Sequence, residues 1–130
     1  MADPLSTRAD GNPEPAISEA ILQRLREQTG DEDGELVREL VEVFVLDAEE
    51  TVERLMELFR AGDATTVASE AHRLKSGAGN LGAQTMAELC SALERAGNAS
   101  DLPATGTLIL HLSEETQRVV DHLQAYVAAL

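Results

Sequence analysis

Hydrophobic residues recur at the helical period through most of this chain, and polar or charged residues fill the positions between them. The pattern predicts five helices, over about residues 18–30, 35–60, 64–80, 83–97 and 104–128. Alternating runs of β-branched and aromatic residues, which would predict strands, are absent. We therefore expect an all-α fold: an antiparallel up-down-up-down four-helix bundle with an additional short N-terminal helix that covers one end.

Each predicted helix has one apolar stripe, which we expect to face a common core. Capping residues mark the helix ends, with Ser18 and Asp63 as N-caps and with Gly30 and the segment 96–101 as terminators. The expected core positions are Ile17, Ile21, Leu25, Val37, Leu40, Val41, Phe44, Ala48, Thr51, Val52, Leu55, Phe59, Val67, Ala71, Leu74, Ala78, Leu81, Met86, Leu89, Cys90, Leu93, Leu108, Leu112, Thr116, Val119, Leu123, Val127 and Leu130.

The first 15 residues differ in composition from the rest of the chain. They hold three of the four prolines together with Gly, Asn and Asp, and they contain almost nothing to bury. Residues 1–15 are therefore predicted to be a flexible leader, and residues 16–130 a single helical domain. A chain of 130 residues is too short for two comfortable domains.

The formal net charge of −14 argues against nucleic acid and anionic membranes as partners, because both require a basic surface. The acidic residues are unevenly spread, however. The window 71–87 contains Arg73 and Lys75 but no Asp or Glu, whereas about three acids would be expected at the average density of 24 in 130. An anionic group could therefore approach this part of the chain.

A single cysteine, Cys90, lies at an apolar position and cannot form an intramolecular disulfide. The N-terminus lacks the pattern of a signal peptide, and no apolar run reaches the length of a membrane span. These features favour a soluble protein in the reduced cytoplasm. A closed bundle with an acidic exterior favours a monomer.

His72 is surrounded by small residues on its face of the predicted third helix. Its neighbours one or two turns away are Ala68, Ser69, Ser76 and Gly79, and the one larger neighbour is Lys75. Glycines within a helix cost roughly 1 kcal/mol each relative to alanine, so helix stability alone does not explain them. The pattern indicates that space around the imidazole is needed.

Glu94 is predicted to meet His72 across the next turn. Both residues lie eleven positions from Ala83, the centre of that turn, so an antiparallel pair brings them to the same level. A carboxylate that accepts a hydrogen bond from Nδ1–H leaves the Nε2 lone pair free, which makes the imidazole an oriented nucleophile. Lys75, one turn along, could neutralise the charge of an incoming group. Positioning and charge neutralisation are the main requirements of phosphoryl transfer.

The stretch 71–83, AHRLKSGAGNLGA, resembles the signature of histidine-containing phosphotransfer (HPt) domains, and MAELCSALE at 86–94 continues the match. Phe44 and the turn at 61–63 also fit. The resemblance, over about residues 16–128, implies a four-helix bundle whose histidine accepts a phosphoryl group from a receiver-domain aspartate and passes it to another receiver. One departure is Ser76, where family members often have glycine.

Carried over to this chain, the resemblance implies His72 as phosphoacceptor, Lys75 as charge-neutralising lysine and Glu94 as the residue that orients the imidazole. It implies as partners the receiver domains of response regulators and of hybrid histidine kinases. The chain itself would bind no cofactor or metal, and the receiver would supply Mg²⁺. The expected docking surface consists of Ile17, Ser69, Arg73, Ser76 and Gly79.

Two other functions remain open at this point. The same fold could serve as a binding module that sequesters a receiver or kinase without carrying phosphate. A metal-binding bundle could use His72 and Glu94, although zinc sites need three or four ligands and only two lie at this level. The chain lacks a glycine-rich nucleotide loop, so we expect a transfer carrier without ATP-dependent kinase activity of its own.

Overall fold

The computed structural model describes residues 15–130, which form five α-helices joined by short connections and, within that range, no strand. The helices are α1 (Glu19–Thr29), α2 (Glu35–Arg60), α3 (Ala64–Asn80), α4 (Gln84–Asn98) and α5 (Leu102–Ala128). The all-α class and the five helices are confirmed, and the predicted bounds agree to within two residues. Residues 1–14 of the predicted leader lie outside the described part of the chain.

The four longer helices pack in a ring in which α2 contacts α3, α3 contacts α4, α4 contacts α5 and α5 returns to α2. Contacts between α2 and α3 pair Asp47 with Arg73 and Arg54 with Glu70, so residue numbers rise along one helix as they fall along the other. The start of α1 lies against the α3–α4 turn, where Ser18 N donates a hydrogen bond to Gly82 O at 2.8 Å. Within the described residues, no helix has the length and apolar character needed to cross a membrane.

Several helix ends lie where the capping residues predicted them. Ser18 is the N-cap of α1, and Gly30 ends that helix in the left-handed region with φ 69°. The Asp63 side chain accepts a hydrogen bond from Thr66 N at 3.1 Å and so caps α3. The segment 96–101 does end α4, but its left-handed residue is Ser100, at φ 52°.

The core differs from the predicted stripes at several positions. Leu40 and Leu130 were expected to face inward, but they are 39% and 37% exposed. Leu40 faces away from the core because its neighbour Val41, about 100° further round α2, faces toward it. On α5 the buried stripe includes Ile109 in place of Leu108, which is only partly buried.

The prediction that Ile17 belongs to a docking surface is wrong. Its side chain is 2% exposed and lies in the main apolar core, together with Leu22 of α1. Burial of both residues anchors α1 to the bundle, since each apolar side chain of this size removed from water contributes roughly 1.5–3 kcal/mol. Ile17 therefore has a packing role and is not available to a partner.

Asp31 supplies a helix cap that the sequence analysis missed. Its carboxylate accepts hydrogen bonds from the backbone N–H groups of Leu36 (3.1 Å) and Val37 (3.0 Å) in the first turn of α2. Arg26 holds the same loop through the backbone oxygens of Asp31 (3.1 Å) and Glu32 (2.7 Å). Burial raises the pKa of Asp31, but the two backbone hydrogen bonds and the charge of Arg26 outweigh it and hold the pKa below its usual value.

Replacing this cap should destabilise the fold in a pH-dependent way. We expect Asp31→Ala to lower the thermal unfolding midpoint at pH 7 by a few degrees, because two donors at the start of α2 lose their acceptor. The folded pKa of Asp31 is depressed, so its contribution is present above the unfolded value of about 3.9 and is lost as pH falls through the folded value.

The measurement is thermal unfolding by circular dichroism at pH 7 and near pH 3. Glu42→Gln, which removes a negative charge from an exposed position of α2, is the matched control and should have little effect. A difference between Asp31→Ala and wild type that stays constant down to pH 3 would contradict the assignment.

Candidate functional site

His72 is presented to solvent from the middle of α3, and its imidazole is in contact with a carboxylate from α4. The His72 side chain is 68% exposed, and its Nδ1 lies 3.0 Å from Glu94 Oε2. The Glu94 side chain is itself 29% exposed, so it is partly sheltered between the helices. The structure thus brings together the two residues that the sequence predicted to lie at one level. With Nδ1–H donating to the carboxylate, the Nε2 atom is left to carry the lone pair.

The small residues near His72 fall into two groups. Ser69 and Ser76 are exposed, and a Cβ atom added to Gly79 would meet nothing within 4 Å, so all three leave open space around the imidazole. Ala68, in contrast, is 3% exposed and lies in the contact between α3 and α4. The exposed imidazole therefore has no large side chain beside it at positions 69, 76 and 79 of its own helix.

The two interior glycines of α3 have different causes. A Cβ atom at Gly77 would lie 3.2 Å from the ring of Phe44, so this glycine lets α2 approach α3. Gly79 has no such neighbour. Only Gly79 therefore fits the idea that glycine keeps the surface of the site clear.

The two basic residues near His72 are in different situations. Arg73 Nη1 lies 3.0 Å from both Asp47 carboxylate oxygens, and Nη2 donates to Thr51 Oγ1 at 2.6 Å and to Glu70 at 3.2 Å. The hydrogen bond to Asp47 raises the pKa of Arg73 against the opposing effect of burial, and Glu70 adds to the rise. Arg73, predicted to be a docking residue, is thus half-exposed but engaged in the α2–α3 contact.

Lys75 is exposed, and within residues 15–130 its ammonium group forms no ion pair. It is therefore the cation beside His72 that remains available to an incoming anionic group.

The other histidines and the cysteine of this chain lie in positions that do not favour a nucleophilic or metal-binding role. His111 and His122 are partly buried on α5, and His122 Nε2 lies 3.2 Å from Glu19 Oε2. Cys90 is buried, and burial raises the pKa of its thiol to about 12 despite the opposing charge of Lys75. The described part of the chain holds no group of three or more His, Cys, Asp or Glu residues placed to bind a metal ion, so the zinc hypothesis keeps only two ligands.

One surface feature was not predicted from the sequence. A groove of about 460 Å³ lies between α1, α2 and the C-terminal half of α3. Val43 on its rim is 70% exposed. The available signal was that Leu40 and Val43 are apolar residues three positions apart on α2, but Leu40 was expected to face the core. The residues that line the groove are Leu25, Leu40, Val43, Phe44, Asp47, Gly77, Asn80 and Leu81.

Comparisons with known proteins bear on the family and the fold of this chain. The chain matches the family model described as Hpt domain over residues 39–128. It is similar to the crystal structure of the histidine-containing phosphotransfer protein HptB from Pseudomonas aeruginosa PAO1, with a TM-score of 0.80 and 29% identity over 89% of this chain and 97% of the other. It also matches ZmHP2, a histidine-containing phosphotransfer protein from maize, with a TM-score of 0.69, 19% identity, and coverage of 87% and 88% of the two chains. The search of curated proteins found no match.

The two glycines of α3 should respond oppositely to alanine. Gly79→Ala should raise the free energy of unfolding by roughly 0.5–1 kcal/mol, because alanine loses less backbone freedom in a helix and meets open space here. Gly77→Ala should show no such gain, because its Cβ atom presses on Phe44. Urea unfolding of both variants checks this expectation, and equal stabilisation by the two substitutions would show that the assignment of Gly77 to packing is wrong.

Proposed function

This chain belongs to the Hpt domain family and has a phosphorelay role in two-component signalling, and from that premise we propose that His72 is the residue that carries the phosphoryl group. The observation that carries the proposal is the contact of 3.0 Å between His72 Nδ1 and Glu94 Oε2 at a solvent-exposed imidazole. A buried histidine could not reach another protein's active site, and an unpartnered one would not be held in a single tautomer.

In the proposed reaction the Nε2 lone pair of neutral His72 attacks the phosphorus of a receiver-domain aspartyl phosphate in line with the bond that breaks. A P–N bond forms, the P–O bond to the aspartate breaks, and the aspartate leaves as a carboxylate. The proton on Nδ1 stays in place. Since the substituted ring carries positive charge, the carboxylate of Glu94 stabilises the product through the same hydrogen bond.

The return step is the reverse of this reaction, in which a carboxylate of a second receiver attacks phosphorus and His72 leaves as the neutral ring. Lys75 neutralises part of the charge on the phosphoryl oxygens during both steps. We propose that Mg²⁺ is supplied by the receiver and that this chain binds no cofactor of its own.

The proposed partners are the receiver domains of response regulators and of hybrid histidine kinases. They would approach over Ser69, Ser76 and Gly79, with Arg73 serving to hold α3 on α2. We further propose that the four longer helices form an up-down-up-down antiparallel bundle, that the carrier acts as a monomer, and that it has no ATP-dependent kinase activity of its own. The cytoplasmic location stays a prediction of the sequence.

A transfer assay tests the proposal. The protein is mixed with a receiver domain phosphorylated on aspartate, and acid-labile, base-stable phosphate on this chain is measured. Wild type should take up label and His72→Gln should take up none, because glutamine has no nucleophilic ring nitrogen.

His122→Gln, which removes a partly buried imidazole on α5, is the matched control and should label like wild type. Wild type that labels no better than His72→Gln would contradict the proposal. Stable binding of the receiver without label would instead support a module that sequesters its partner.

A further inference from the structure

Gly97 lies where α4 packs tightly against α3. A Cβ atom at this position would be 2.7 Å from the backbone oxygen of Ala64 and 3.1 Å from both the Cβ and N atoms of Ala68. The oxygen and nitrogen belong to the backbone of α3, so they cannot move aside as the end of a flexible side chain would. The spacing of the two helices at this point therefore requires glycine.

This close approach is adjacent to the His72–Glu94 contact. Gly97 follows Glu94 by three residues on α4, and Ala68 precedes His72 by four residues on α3, so on both helices the two features are about one turn, or roughly 4.5–6 Å, apart. Because the two helices run in opposite directions, Ala68 lies level with Gly97 and His72 lies level with Glu94. A change in helix spacing at Gly97 therefore changes the length of the hydrogen bond between His72 Nδ1 and Glu94 Oε2.

A helix-ending role does not account for this glycine. Gly97 lies inside α4, which ends at Asn98, and the left-handed conformation beyond the helix belongs to Ser100. A glycine inside a helix costs roughly 1 kcal/mol relative to alanine. That cost is offset by the close packing of α3 on α4, which is the most extensive helix contact in the described part of the chain.

We propose that Gly97 is a positioning residue for phosphotransfer: by letting the backbones of α3 and α4 approach, it holds Glu94 within hydrogen-bond distance of His72 Nδ1. A side chain at 97 would separate the helices by several tenths of an ångström or more, and the hydrogen bond weakens steeply as its 3.0 Å length increases. The ring would then lose its single tautomer and orientation. The expected effect on the rate of phosphotransfer rests on the proposed function. The claim that Gly97 sets the His72–Glu94 distance and the tautomer of the ring does not.

The first experiment measures the His72 tautomer directly, by ¹⁵N NMR of the full chain labelled in its histidine rings. We expect wild type to hold the proton on Nδ1. Gly97→Ala should move the tautomer ratio toward that of Glu94→Ala, in which the acceptor is absent. This signature does not depend on any phosphotransfer.

Gly106→Ala is the matched control. Its Cβ atom would lie 2.7 Å from Phe59 Cζ in the α2–α5 contact, so it introduces an equally short contact away from α3 and α4, although with a side chain and not with backbone. It should leave the His72 tautomer unchanged even if it lowers the thermal unfolding midpoint. A change of equal size in both variants would mean that loosening of the bundle in general moves the ring, and would overturn the inference.

The second experiment measures the rate at which His72 accepts phosphate from a phosphorylated receiver. Gly97→Ala should slow the reaction roughly three- to tenfold, as expected for loss of one hydrogen bond. In the Glu94→Ala background the same substitution should slow the reaction little further, because a residue that acts through Glu94 has nothing left to position. Additive losses in the double variant would overturn the inference.

The outcomes separate this inference from the proposed function. If wild type accepts no phosphate but Gly97→Ala still shifts the tautomer, the proposed function fails and the positioning role stands. If Gly97→Ala does not fold, Ala68→Ser adds a smaller group from the α3 side and should give a smaller shift in the same direction. A folded variant of either kind with the wild-type tautomer ratio contradicts the inference.

Discussion

The close packing of α3 against α4 is the constraint on which the site depends. The hydrogen bond between His72 and Glu94 joins two helices, so its length is set by the distance between their backbones. That distance is short because small residues line the contact, among them Ala64 and Ala68 on α3 and Gly97 on α4. An exposed imidazole is thereby held at Nδ1 by a partly sheltered carboxylate, while most of the ring faces solvent.

The remaining interactions fix α3 from its other side and its ends. Arg73 joins it to α2 through Asp47 and Thr51, Glu70 of α3 pairs with Arg54 of α2, and Asp63 caps its first turn. Exposed ion pairs of this kind contribute only about 0–1 kcal/mol each, so the apolar core carries most of the stability and the polar contacts set the register of the helices. Since Arg73 is engaged in this way, Lys75 is the cation left beside the imidazole, in a chain whose net charge is −14.

Much of this could be predicted from the sequence, because it depends on local rules. Helical periodicity and capping residues located the five helices, and counting residues on each side of a short turn placed Glu94 level with His72. The errors arose where the same sequence pattern allows a residue to be either buried or exposed, and only tertiary packing decides between the two. Periodicity does not decide which of Leu40 and Val41 faces the core. Ile17 was expected both in the core and on the docking surface, and its burial in the folded bundle decides for the core. Asp31 caps a helix from five residues ahead, and Gly97 reads as a helix end unless its neighbour on α3 is known.

The central claim is that Glu94 holds His72 so that Nε2 accepts the phosphoryl group. It is tested most directly by phosphorylating a chain labelled with ¹⁵N in its histidine rings and measuring coupling between ³¹P and the ring nitrogens. The account predicts one phosphorylated histidine, His72, with phosphorus bonded to Nε2 and the proton retained on Nδ1. Phosphorus on Nδ1 of His72, or on His111 or His122, would contradict it.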